Sequence, residues 1–237
     1  MNYQIITNPT LLERFIEWLP ALESHEKYYL CLFARNKYTK HLKLSEQVAH
    51  IKSDKAQLKR FVTDKERMYN KICQLEIGLG KYHYQRKPVP QEALALYITV
   101  NPRDMRKATV NTMVKLAQSI RDQNIELNPH QEALSEIQKS KSRNCFVAFD
   151  VDDKTTSVDR IRQVVYDCAQ SKEVRFKLLE TRGGYHLLVD PSSIPIGSKH
   201  SWYVYLKLWL TVDQAGDLMI PVPGTYQGGF TPYFITD

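Results

Sequence analysis

"RNCFVAFDVDD", residues 143–153, is an apolar run that stops on a cluster of carboxylates. Residues 145–152 carry the period of a strand. Phe146, Ala148, Asp150 and Asp152 share one face, while Val147, Phe149 and Val151 share the other. The second face is built to pack under helices. The first ends on two acids whose Cα atoms stand about 6–7 Å apart, at ~3.3 Å of rise per residue. At about 5 Å and an effective dielectric near ~20, their repulsion is roughly 3 kcal/mol. A divalent cation turns that cost into binding, because Mg2+ and Mn2+ take hard oxygen ligands. The plainer alternative is a strand ending in solvent, with Asp152, Asp153 and Lys154 as a turn.

Beyond this strand the pattern stays regular. "TTSVDRIRQVVYDCAQS" predicts an amphipathic helix capped by Thr156 or Ser157, with Val158, Ile161, Val164, Val165 and Cys168 on one side. "RFKLLET" and "YHLLVD" predict two strands joined by "RGG", with glycine where a hairpin wants positive φ. "SWYVYLKLWLTV" (201–212) reads as a helix packed on both sides, and "DLMIPVPGTYQGG" as a short strand and a Pro/Gly-rich loop. The order strand–helix–strand–strand–helix–strand predicts an α+β core, a mixed or antiparallel sheet with helices on one face.

Upstream, residues 9–24 show Leu11, Leu12, Phe15, Trp18 and Leu19 at helical spacing, and "KYYLCLFAR" (27–35) reads as a strand. "AQLKRFVTDKERMYNKICQLEIGLG" places Leu58, Phe61, Val62, Ile72 and Leu75 on a helical stripe that stops near Gly78 and Gly80. "KYHYQRKPVPQ" reads as a connector. "ALALYITV" (93–100) predicts a buried strand, and "NPRD" opens a helix with Met105, Val110, Met113, Val114, Ala117 and Ile120 on one side. Polar residues 121–143 read as a helix end or loop. The chain divides in this reading into a helix-rich basic region, 1–90, and a core, 91–237, the two forming one unit in part.

The 237 residues suffice for a hydrophobic core without staples. No apolar run approaches ~18 residues, so no membrane span or membrane partner is expected. "MNYQIITNPTLLERF" lacks the charged and apolar regions of a signal peptide. Cys31, Cys73, Cys145 and Cys168 are scattered without a CxxC pair, which predicts reduced cysteines and a cytoplasmic location. The net charge is +7, and Lys27, Arg35, Lys37, Lys40, Lys43, Lys52, Lys55, Lys59 and Arg60 crowd the first third. A polyanion is the partner such a balance predicts; a solvated basic face is the alternative.

Two further stretches carry chemistry. His186 follows a Gly-Gly turn in "ETRGGYHLLVD" and points to the face opposite Tyr185. Arg182 and the backbone N–H groups of Gly183 and Gly184 offer donors for phosphate oxygens beside it. The bland reading is a half-buried strand histidine. A rolling-circle nuclease would need a second histidine where Leu188 stands, which argues against that class. Asp213 and Asp217 precede the proline-rich strand, and either is a candidate third metal ligand.

Together "FVAFDVDD", "TRGGYHLLV" and "GDLMIPVPGT" resemble, in order and spacing, the motifs of the archaeo-eukaryotic primase superfamily, the primase-polymerases. The resemblance is carried by residues 143–229; "LYITVNPRD" and the helices before it look compatible with that family's N-terminal α/β module. It implies an RRM-like catalytic core and a template-dependent nucleotidyltransferase that adds NTP or dNTP to a 3′-hydroxyl on single-stranded DNA. It implies Mg2+ or Mn2+ held by Asp150, Asp152 and Asp217, with Asp213 in reserve. His186 would contact the incoming phosphates, with Arg182, Gly183 and Gly184 beside it, and a separate helicase or replication protein would be a partner. Arg35, Lys37 and Lys40 would then track the template, and Tyr28, Tyr29 or Tyr38 would stack its bases. A catalytically inactive nucleic-acid-binding relative and a metal-dependent nuclease are the competing readings.

Overall fold

The computed structural model describes residues 1–39, 56–123 and 127–235. It is a mixed α+β chain with six helices among the described residues, and its strands pair antiparallel. Asn8 caps helix α1 (Pro9–Trp18), accepting from the Leu11 N–H at 3.1 Å. That helix stops at Trp18 and does not run to residue 24, because Pro20 follows and disfavours helical backbone just before it. Strand β1 (Glu26–Ala34) is buried along almost its whole length.

Residues 56–63, expected as the start of a helix, form strand β2 (Ala56–Thr63), which pairs with β1. The reason for the misreading is a bulge. Leu32 pairs with Lys59 and Phe33 with Gln57, so Leu58 is skipped and the strand's parity resets there. Leu58 and Phe61, three apart, consequently reach the same core, as they would on a helix. Helix α2 (Lys65–Cys73) then begins at an Asp64 cap. The connector holds a small hairpin, β3 (His83–Tyr84) and β4 (Lys87–Pro88).

Strand β5 (Leu94–Thr99) lies beside β1, and the two-residue β6 (Arg103–Asp104) pairs with the start of β1. Helix α3 (Met105–Arg121) follows. It buries Ala108 and Ser119, and leaves Val110, Met113, Val114 and Ile120 exposed, the reverse of the expected packing. A helix also occupies part of the stretch expected as loop: α4 (Pro129–Lys139), capped by Asn128 with proline in its first turn. Leu134 and Ile137 of α4 join Ala108 against Tyr29, Cys31, Phe33 and Tyr97 on one face of the sheet.

The second half follows the predicted order. Strand β7 (Val147–Val151) leads to α5 (Val158–Ala169), whose cap is Ser157. Strands β8 (Phe176–Glu180) and β9 (Tyr185–Val189) form the hairpin, followed by α6 (Trp202–Leu210) and β10 (Gln214–Gly216). Helices α5 and α6 pack Ile161, Val164, Val165, Trp202, Leu206 and Leu210 onto Phe149, Val151, Leu187 and Val189. Only one side of α6 is packed: Val204, Tyr205, Leu208 and Trp209 stay exposed.

The chain then changes sheets. Strand β11 (Met219–Pro221) pairs with β5, whereas β12 (Tyr233–Phe234) returns to pair with β8. The first sheet therefore reads β11-β5-β1-β2 and the second β10-β7-β9-β8-β12. A division at residue 90 runs through the first sheet, because β5, β6 and β11 belong to it. The opposite face of β7 and β9, with Ala148 and Leu188, packs into the same core as Leu30, Leu32, Leu96 and Ile98. Asp150 and His186 continue that face.

Candidate active site

The antiparallel register of β7 and β9 sets Asp150 opposite His186, with His186 Nε2 3.6 Å from Asp150 Oδ1. His186 is buried and Asp150 half-buried, and both line the cleft described below. Asp152 follows the last strand residue and lies at the surface. Its carboxyl is pushed above the usual range, first by desolvation and then by the charge of Asp150 and the approach of Asp213; Lys37 pulls the other way. Asp153 faces elsewhere and closes a turn, accepting from Thr155 N–H at 2.7 Å and Thr156 Oγ1 at 2.8 Å.

Gly184 brings the β8–β9 turn onto this strand end. A Cβ there would sit 2.2 Å from the Val151 carbonyl oxygen and 3.1 Å from Asp152 Cα, so no other residue fits. Close approach, not positive φ, is what demands glycine: neither Gly183 nor Gly184 has left-handed backbone. Gly183 lines the cleft described below, and the N–H groups of both glycines are engaged within the turn. Both donate to Thr181 Oγ1 at 3.2 Å.

Asp150, Asp152 and His186 line a cleft of about 430 Å3 together with Arg35 and Lys37, which come from the end of β1. Phe33, Tyr97, Leu218 and Met219 give it an apolar wall, and Gln57, Gln138, Gln214 and Gln227 add amides. The Arg35 guanidinium bonds the Tyr97 hydroxyl and stacks over the Tyr97 ring at 5.4 Å. Lys37 lies 5.9 Å from the Tyr38 ring centroid. Lys40 lies outside the described residues.

Arg182 takes no part in the cleft. Its Nη1 donates to the carbonyls of Tyr38 and Gly228, and its guanidinium covers the Tyr38 ring at 4.9 Å. It ties the hairpin to the turn that follows β1 and to the loop at Gly228. Tyr28, Tyr29 and Tyr38 are buried, so none presents a face for base stacking.

Asp217 stands in the cleft wall where the chain crosses between sheets, and its carboxylate is already engaged. Arg103, itself buried, donates through Nη1 to Oδ2 at 2.5 Å and through Nη2 to Oδ1 at 2.9 Å; Asn101 Nδ2 adds a bond to Oδ1 at 2.9 Å. Asp213, the reserve candidate, is the acid that approaches Asp152. Among the described residues no group of three or more His, Cys, Asp or Glu is arranged to hold a metal ion. The pair Asp150 and Asp152 nonetheless fits a divalent cation, since Mg2+ is commonly bound by one or two carboxylates plus water and substrate phosphates. Sequence reasoning missed Arg103 and Asn101, whose "NPRD" context signals only a turn, and the glutamines, which carry no pattern.

No protein-family model matches the chain, and none of the curated proteins or solved structures compared with it matches. No helix among the described residues is long and apolar enough to cross a membrane.

Proposed function

We propose that the chain is a metal-dependent nucleotidyltransferase of the primase-polymerase kind, adding nucleotides to a 3′-hydroxyl on single-stranded DNA. One observation carries the reading: a single cleft gathers Asp150, Asp152 and His186 from one sheet and Arg35 and Lys37 from the other. Acids beside cations is the pairing that a metal–triphosphate complex needs. The strand order β10-β7-β9-β8, with α5 and α6 on one face, supports reading this half as an RRM-like βαββαβ unit.

Arg35 and Lys37 take the triphosphate oxygens in this scheme, with Gly183 of the turn in the same cleft and Arg182 engaged elsewhere. His186 donates to a phosphate oxygen through Nε2, the nitrogen on the Asp150 side, since Nδ1 is buried. The apolar wall of Phe33, Leu218 and Met219 receives the nucleoside and limits water. Asp150 and Asp152 would hold Mg2+ or Mn2+; when bound, the ion neutralises phosphate charge and acidifies the attacking hydroxyl.

The test is incubation of labelled, primed single-stranded DNA with NTPs or dNTPs and Mn2+. Strand extension that Asp150→Ala abolishes, in a variant that still unfolds cooperatively, supports the reading. Full activity in that variant overturns it, and shortening of the strand indicates a nuclease. A second reading has an observation of its own. With Asp217 held by Arg103, the site offers a cation only two acids and their neighbour Asp213, as an inactive nucleic-acid-binding relative would. Strand binding that ignores Mn2+, with no incorporation, selects that reading.

A further inference from the structure

We infer that the nucleic-acid strand reaches the cleft through the groove ending at Arg60 and Lys139, held there by its phosphates. The inference rests on the proposed function, since it names where that site's strand lies. A groove of about 540 Å3 continues the cleft, sharing Gln57, Gln138, Asp217 and Met219 with it. On its far side stand Arg60 of β2 and Lys139 of α4. The other opening beside the carboxylates, about 500 Å3, lies beyond Asp152.

Charge decides between the two. In the first groove Arg60, Arg103 and Lys139 face the single carboxylate of Asp217, which Arg103 already neutralises. Lys139 touches Glu136 at 3.3 Å, and Lys115, which bonds Glu136 at 2.7 Å, also bonds Glu132, so these four charges balance and Arg60 supplies the groove's excess of positive charge. Among the described residues that line the second opening, the three acids Asp152, Asp153 and Asp213 stand against one cation, Arg160. A phosphate beside a like charge is repelled even in water, and beside a cation it is attracted. A phosphodiester chain is therefore drawn to one opening and repelled from the other.

The groove is also built in advance. Arg60 Nη1 donates to Ser135 Oγ at 3.2 Å and Nη2 to the Gln131 carbonyl at 3.3 Å, which fixes the guanidinium between β2 and α4. Among the described residues, no aromatic side chain lines it. The strand is consequently gripped by its backbone, without base stacking, so binding is insensitive to base sequence and falls steeply with salt.

The experiment is fluorescence anisotropy of a labelled oligothymidylate of about 20 nucleotides, over a salt series, with the full chain. Triphosphate binding with Mn2+ is measured separately. Arg60→Gln and Lys139→Glu are each expected to weaken the strand several-fold and to flatten the salt slope by about one phosphate contact. Both should leave triphosphate affinity unchanged, and Arg160→Gln should leave strand affinity unchanged. Lys139 is largely exposed on the last turn of its helix, so its variant remains informative if Arg60→Gln misfolds. Unaltered strand binding in both variants overturns the inference, as does a loss caused by Arg160→Gln, or a wild-type chain that binds no strand. Strand binding through Arg60 and Lys139 without nucleotide incorporation would leave the groove standing and remove the transferase.

Discussion

At the strand end Asp152 bears the cost of desolvation first and of the neighbouring Asp150 charge second. Its raised pKa means that the folded chain binds this proton more tightly than the unfolded one. The residue therefore favours folding in acid, and that contribution is lost as pH rises through the raised pKa. Asp152→Asn should melt at a higher temperature than the wild type at neutral pH, with the gap closing as pH falls toward about 4; thermal unfolding across pH 3.5–7.5 reads it. Gly184→Ala should cost at least about 1–3 kcal/mol, because its Cβ meets the Val151 carbonyl at 2.2 Å, and it should displace Asp152. Chemical denaturation measures the first effect and nucleotide incorporation the second. Strand alternation made Asp150, Asp152 and His186 legible in the sequence. Where Arg182 points was not legible, since the carbonyls of Tyr38 and Gly228 that capture it come from distant parts of the chain.

Among the elements, those with one apolar face and a cap were readable, as in β7, α5 and the β8–β9 hairpin. Strand β2 was not, because its bulge gives Leu58 and Phe61 the spacing of a helix face. Helix α4 carried its start signals, Asn128 and Pro129, in a segment whose polarity suggested loop. Helices α3 and α6 mislead in another way: their richest apolar stripes face outward. Val114→Lys should thus change stability by no more than about 0.5 kcal/mol. Leu206→Ala, on the buried side of α6, should cost about 2–5 kcal/mol. Urea unfolding of the two variants distinguishes this packing from the reverse.

For the molecule as a whole, the decisive junction is the crossover at Asp217, where the chain leaves the second sheet for the first. Arg103 and Asn101 grip that carboxylate, and Asn101 also bonds Phe146 through both N–H and carbonyl at 2.8 Å. The clamp thus ties β7, which carries Asp150, to the sheet that carries Arg35. Arg103→Leu should destabilise by about 3 kcal/mol, since it strands a partly buried carboxylate. No single stretch of sequence announces such a junction, because its members are 114 and 116 positions apart. The cleft it holds open is the centre of the account. The most direct test is calorimetric titration of a nucleoside triphosphate into the wild type and into Asp150→Asn, each with and without Mn2+. Binding should require Mn2+ in the wild type and be at least about tenfold weaker in the variant. Equal affinity with and without the metal, or in both proteins, would contradict it.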